Sequence, residues 1–171
     1  MKKILSLFIG IELCLHSLFM IQEVKSSVGI ECFGKTLYYG LSVKQRVALC
    51  KGSMTDAPLR CVDFAAGSGL STDQKVALCQ GAYTDAPVRC FENSLGKGLT
   101  LDQQVKLCNS AASSYPNQCY DSSGGMSLSI DQRVVLCECA KSDEPITCMW
   151  KATGIGLTLD QQVRLCTDSS S

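Results

Sequence analysis

The chain has 171 residues, 46% hydrophobic and 19% charged, with sixteen basic residues against sixteen acidic ones and a single histidine. That apolar content suffices for a packed core and excludes a disordered polar chain. The balanced, dispersed charge excludes the basic footprint of a nucleic-acid or anionic-membrane binder, and an aromatic content of 6% excludes a base-stacking platform.

The N-terminus reads as an export signal. Lys2 and Lys3 precede an apolar run from Ile4 to Ile21, and Val24-Lys25-Ser26 offers a small-residue cleavage site, so residues 1–26 form the expected signal peptide. The rival reading is an uncleaved membrane anchor, but Glu12 in mid-span would be costly in lipid. Ile11-Glu12-Leu13-Cys14 lacks the small residues that lipid attachment at Cys14 needs. Cleavage removes Cys14 and the only histidine, His16, and no stable membrane insertion is expected afterwards. The remaining cysteines, odd in number, read as a disulfide framework in an oxidising compartment, secreted, periplasmic or at the cell surface.

From Ser27 the chain restates one pattern at a spacing of 29 residues. The cysteine-rich repeat domain covers residues 27–166: a half-unit at 27–40, whole units at 41–69, 70–98, 99–127 and 128–156, and a half-unit at 157–166. A polar tail, 167–171, follows. Constant spacing without insertions means that each unit meets its neighbours alike, which predicts an all-α, disulfide-stapled solenoid of short helical hairpins with half-repeats at both ends.

Each first half opens on a helix-capping pair: Ser42 and Gln45, Ser71 and Gln74, Thr100 and Gln103, Ser129 and Gln132, Thr158 and Gln161. Asp73, Asp102, Asp131 and Asp160 place negative charge in the first turn, whereas Lys44 breaks the rule and predicts a less secure start there. Leu101, Val105 and Cys108 share one face at helical spacing, with Leu107 about a third of a turn away; a strand over Val105 to Cys108 is the alternative. Each second half carries Pro58, Pro87, Pro116 or Pro145 in the first turn of a helix that Gly67, Gly96, Gly125 or Gly154 is expected to stop. Helices of about ten residues are marginal alone, so stacking and cross-links must stabilise them.

Apart from Cys139, the cysteines alternate between the two halves. Spacing alone leaves two pairings open. Joining Cys50 back to Cys61 strands Cys32 and Cys166 at opposite ends, out of disulfide range. Forward pairing uses every member, Cys32–Cys50, Cys61–Cys79, Cys90–Cys108, Cys119–Cys137 and Cys148–Cys166, and is the expected scheme. Metal binding is not expected, because histidine is absent from the mature chain and the gap between Cys50 and Cys61 is no zinc-knuckle spacing. The unpaired thiol Cys139 has three readings: a partly buried or capped thiol without a role, an intermolecular bridge giving a dimer, or a redox or chelating pair with Cys137.

No nucleophile–base pair stands out, and Asp102-Gln103 and Asp131-Gln132 are explained by helix capping. Neither a catalytic site nor a cofactor is expected. What varies between units is the turn, Met54-Thr55, Tyr83-Thr84, Ala112-Ser113 and Lys141-Ser142, together with the positions of Asp63, Glu92, Asp121 and Trp150. Repeat scaffolds commonly carry partner contacts at such places, so Tyr83 and Trp150 are the candidate contacts, and unconstrained surface is the alternative. The reading is a non-catalytic binding or structural module whose partner is an unidentified protein or glycan; a secreted inhibitor or toxin-like effector is the second class and an enzyme a distant third.

Overall fold

The computed structural model describes residues 28–167, so the expected signal peptide, residues 1–26, and residues 168–171 lie outside it. Among the described residues there are ten helices and no strand. One row holds α1 (28–35), α3 (Ala57–Phe64), α5 (Ala86–Ser94), α7 (Tyr115–Ser122) and α9 (Glu144–Ala152). The other holds α2 (Val43–Cys50), α4 (Thr72–Cys79), α6 (Leu101–Cys108), α8 (Ile130–Cys137) and α10 (Leu159–Thr167). Thr167, assigned to the tail by sequence, is thus the last residue of α10. From α2 onward, each helix packs on the next member of its own row, and each odd helix from α3 packs on the even helix that follows it.

The even helices start where their caps say. Ser42, Ser71, Thr100 and Ser129 each accept from the backbone N–H three residues on, while Gln45, Gln74, Gln103 and Gln132 accept from the cap's own N–H. Thr158 and Gln161 make the same two bonds at α10, 3.3 and 2.9 Å. Lys44 leaves the box of α2 intact, and the first turn of that helix carries no acidic residue. After α2, the turn at Lys51-Gly52 closes with Ser53 N–H on Cys50 C=O, 3.1 Å, and Gly52 has a φ of 71°. Gln80-Gly81, Asn109-Ser110 and Glu138-Cys139 repeat that type II turn, so Ser110 and Cys139 take a left-handed position that suits glycine better.

In the odd helices the hydroxyls of Thr55, Thr84, Ser113 and Ser142 accept from the N–H two residues on, at 3.1 to 3.2 Å. Asp56 and Asp85 do not cap; they pair with Arg60 and Arg89 one turn along. Pro58, Pro87, Pro116 and Pro145 form a fully buried column. The proline that costs a helix nothing at its first turn here also packs between neighbours.

Two kinds of helix end follow. α5 and α9 stop at left-handed Gly96 and Gly154, as glycine allows. α3 and α7 instead tighten into 3-10 turns over Ala65–Gly67 and Ser123–Gly125, so Gly67 and Gly125 are not left-handed stops. The difference tracks one residue of the next even helix. Arg133 donates to Tyr120 C=O (2.7 Å) and Ser123 Oγ (3.0 Å), and Arg46 does the same to Phe33 C=O and Thr36 Oγ1 at the 3-10 turn Thr36–Tyr38. Each guanidinium also lies 3.9 Å over the ring of Phe33 or Tyr120. A basic side chain reaching those carbonyls holds the tight end in place. Where Gln104 and Gln162 replace the basic residue, they donate to Leu99 C=O and Leu157 C=O, and the glycine stop takes over.

The core lies between the two rows. Leu49, Leu78, Leu107 and Leu136 are fully buried at equivalent positions, and Val105 and Cys108 are buried beside them. Leu101, placed on the packing face by its spacing, is instead 41% exposed. It stands in the first turn at the outer flank of α6, whereas Leu107 near the helix end faces the odd row. Five disulfides join each odd helix to the even helix that follows: Cys32–Cys50, Cys61–Cys79, Cys90–Cys108, Cys119–Cys137 and Cys148–Cys166.

A second set of ties runs along the even row. Besides capping its own helix, Gln45 donates through Nε2 to Asp73 Oδ1 of the next even helix (2.6 Å), and Gln74–Asp102, Gln103–Asp131 and Gln132–Asp160 repeat the bond at 2.7 Å. Each amide thus serves two units. Lys44 stands at the aspartate position of α2, and no described even helix precedes α2 to offer it an amide. A double-mutant cycle on Gln103→Ala and Asp131→Ala should return a coupling of about 0.5–1 kcal/mol, as expected for an exposed hydrogen bond to a charge. Gln161→Ala should show none of that coupling with Asp131→Ala.

Candidate functional site

A groove of about 460 Å³ crosses the even row between α4, α6 and the turn after α8. Its floor is Ala77 and Val105, and its rim carries Asp73, Asp102, Lys106, Glu138 and Cys139. Asp102 is held by Gln74, and Lys106 faces Glu138 at 3.7 Å. Asn109 donates from Nδ2 to Ala77 C=O, and Ser110 Oγ to Gln80 C=O at 3.1 Å, so the turn after α6 is tied back onto α4. The aspartates that sequence offered as acid–base candidates are therefore acceptors in the rungs between units.

Cys139 is the free cysteine among the described residues, and its side chain is exposed. Cys137 is bonded to Cys119, so the redox or chelating pair with Cys139 does not form in this state. Partial burial pushes the Cys139 thiol up, the negative charge of Glu138 adds to the rise, and Lys141 opposes it. Burial likewise raises the Glu138 carboxyl, with Lys106 pulling the other way. A thiol held above its ordinary range keeps its proton at neutral pH and is a poor nucleophile. The folded chain thereby holds the proton more tightly than the unfolded one, so stability falls as pH rises through the window above the ordinary thiol pKa. Alkylation of Cys139 should accordingly be slower than that of an unstructured thiol at neutral pH and climb only at higher pH; Glu138→Gln should move the rate profile to lower pH.

Tyr83 and Trp150 are 67% and 65% exposed but occupy different positions of the pattern. Tyr83 lies in the turn between α4 and α5, at the position of Met54, which is also exposed. Trp150 lies on α9 and lines a groove of about 270 Å³ with Met126, Met149 and Leu159. The structure supplies a reason for this tryptophan. At the equivalent places Tyr39 donates to Asp63 (2.9 Å) and Lys97 pairs with Asp121 (2.7 Å). Met126 stands where Tyr39 and Lys97 do, and Trp150 where Asp63 and Asp121 do. A polar pair has been exchanged as a pair for two large apolar side chains, leaving an apolar patch at the C-terminal end of the stack.

Among the described residues no group of three or more histidine, cysteine, aspartate or glutamate side chains gathers as a metal site would, and no helix is long and apolar enough to cross a membrane. The class that emerges is a small all-helical protein held by regularly spaced disulfides. Comparison with family models, curated proteins and solved structures finds no match for the chain.

Proposed function

We propose that the chain is an exported, non-catalytic binding or structural module, built as a solenoid of 29-residue helical hairpins between two half-units. The recurrence of two cross-unit ties at fixed offsets carries the reading: disulfides at a separation of 18 and glutamine–aspartate rungs at 28. Five bonds in 140 described residues suit an oxidising compartment outside the cytoplasm. Charged groups of the groove between α4 and α6 are tied to the framework, Asp73 and Asp102 by glutamines and Lys106 by Glu138, which favours a scaffold over a reaction centre. The Trp150–Met126 patch is the contact the reading favours, since large apolar residues at an exposed groove supply desolvation energy to a partner. A photo-crosslinking residue in place of Trp150, in the full chain expressed in its native compartment, tests this. A specific adduct with an extracytoplasmic protein or glycan, lost in Met126→Asp, is expected; recovery of the chain in the reducing cytosol with free thiols would contradict it.

A further inference from the structure

The two ends of the stack are complementary halves of one contact. Among the described residues α2, α4 and α6 each contact the odd helix that follows, and residues at matching positions are buried: Leu49 and Leu59, Leu78 and Val88, Leu107 and Asn117, with Ile146 of α9, next in the series, partly buried. The six residues of the three pairs are at most 5% exposed. Among the described residues no odd helix follows α10. Leu165, fifth in the column of Leu49, Leu78, Leu107 and Leu136, is 54% exposed although its four equivalents are fully buried. At the N-terminal end α1 is an odd helix with no described even helix before it. Ile30, the equivalent of Leu59 and Val88, is 72% exposed.

The odd row shows the same opening. Asn117 on α7 donates to Cys90 C=O on α5, 2.8 Å, which fixes how one odd helix lies on the one before. The same step taken beyond α9 sets the equivalent of Ile30 against Cys148. Cys148 is only partly buried, unlike its counterparts Cys61, Cys90 and Cys119, and it lines an open groove of about 320 Å³ with Ile155 and Leu165. The missing cover at one end is an odd helix bearing an apolar residue at that position. The other end of the same chain presents one.

We propose that copies of this chain join head to tail, α1 of one copy seating on the α9–α10 face of the next and burying Ile30 against Leu165 and Cys148. The contact is heterologous, so each copy keeps one free end and growth continues in a line. It rests on the repeating register proposed above. The junction lacks one tie: Gln161 would meet Lys44 where every internal rung has an aspartate. The joint is therefore weaker than the bonds within a copy, and association depends on concentration.

The test uses the full chain, expressed in an exporting host, purified oxidised from the exported fraction with Cys139 alkylated, and measured by light scattering across a concentration series. Masses rising through successive multiples of one copy are expected. Ile30→Glu and Leu165→Glu change exposed residues and should each be monomeric alone, yet an equimolar mixture should form dimers and nothing larger, because each supplies the end the other has lost. Lys44→Asp should tighten association of the native chain on the order of tenfold by restoring the rung. A native chain monomeric at every concentration, with residues 1–26 shed or retained, overturns the proposal, as does failure of the mixed variants to associate or association that both variants leave unchanged. Disulfide mapping on the same samples tells a failed joint from a failed register.

Discussion

Replacing Cys90 and Cys108 together by alanine should destabilise the protein by about 3 kcal/mol or more. The bridge closes a loop of 18 residues, for which loop-closure entropy alone gives about 3 kcal/mol. Both cysteines are buried, so their loss also thins the contact between α5 and α6. Its place in the chain sets its reach. Helices of eight or nine residues cannot stand alone, and in the proposed linear stack each depends on its immediate neighbours. Cutting this central tie should let the stack part into two segments and broaden the unfolding transition. The pair Cys148→Ala and Cys166→Ala should instead release mainly α10, seen as faster hydrogen exchange confined to that helix. Chemical denaturation of the two double variants, followed by helical circular dichroism, separates the cases.

Leu107→Ala should cost about 3–5 kcal/mol, the range for a large aliphatic side chain removed from a site that cannot collapse. Leu107 sits between rows that staples and rungs hold at fixed spacing, so the cavity stays open. Leu165→Ala, the same change at the equivalent residue of the last half-unit, should cost less than about 1 kcal/mol in the monomer, because that side chain is already half in water. Equal costs would mean that the two leucines are not equivalent in packing. Urea unfolding of the two variants, with unchanged m-values, gives the comparison directly.

What the amino-acid sequence disclosed about this fold was whatever its local chemistry encodes. Ser129 and Gln132 three residues apart are a helix start whatever surrounds them, so helix positions were legible. The alternation of cysteines, with Cys32 and Cys166 as its ends, favoured one pairing because the other left two sulfurs without a mate. Less legible was whatever depends on a neighbour far along the chain. Gln103 and Asp131 each had a sufficient local explanation, capping and helix dipole, which hid the bond between them. Leu101 and Leu107 are both apolar, and helical spacing cannot say which flank faces the second row. Gly67 and Gly125 look like Gly96 and Gly154, and the residue that distinguishes them lies on the next even helix: Lys75 and Arg133 for the tight turns, Gln104 and Gln162 for the glycine stops.

Of the candidate contacts, the exposure of Tyr83 and Trp150 was readable as variation on a fixed frame. That Trp150 is matched by Met126 was not, since it requires knowing which positions face each other across successive odd helices. The signal lies in a second series at the same spacing, Tyr39, Ser68, Lys97 and Met126, set 24 residues before Asp63, Glu92, Asp121 and Trp150.

One register carried unchanged from α1 to α10 is met most directly by peptide mapping of the oxidised protein without reduction. That register predicts five linked peptide pairs, Cys32–Cys50, Cys61–Cys79, Cys90–Cys108, Cys119–Cys137 and Cys148–Cys166, with alkylation confined to Cys139 once residues 1–26 are shed. A peptide joining Cys50 to Cys61, or Cys139 bonded within the chain, would contradict it.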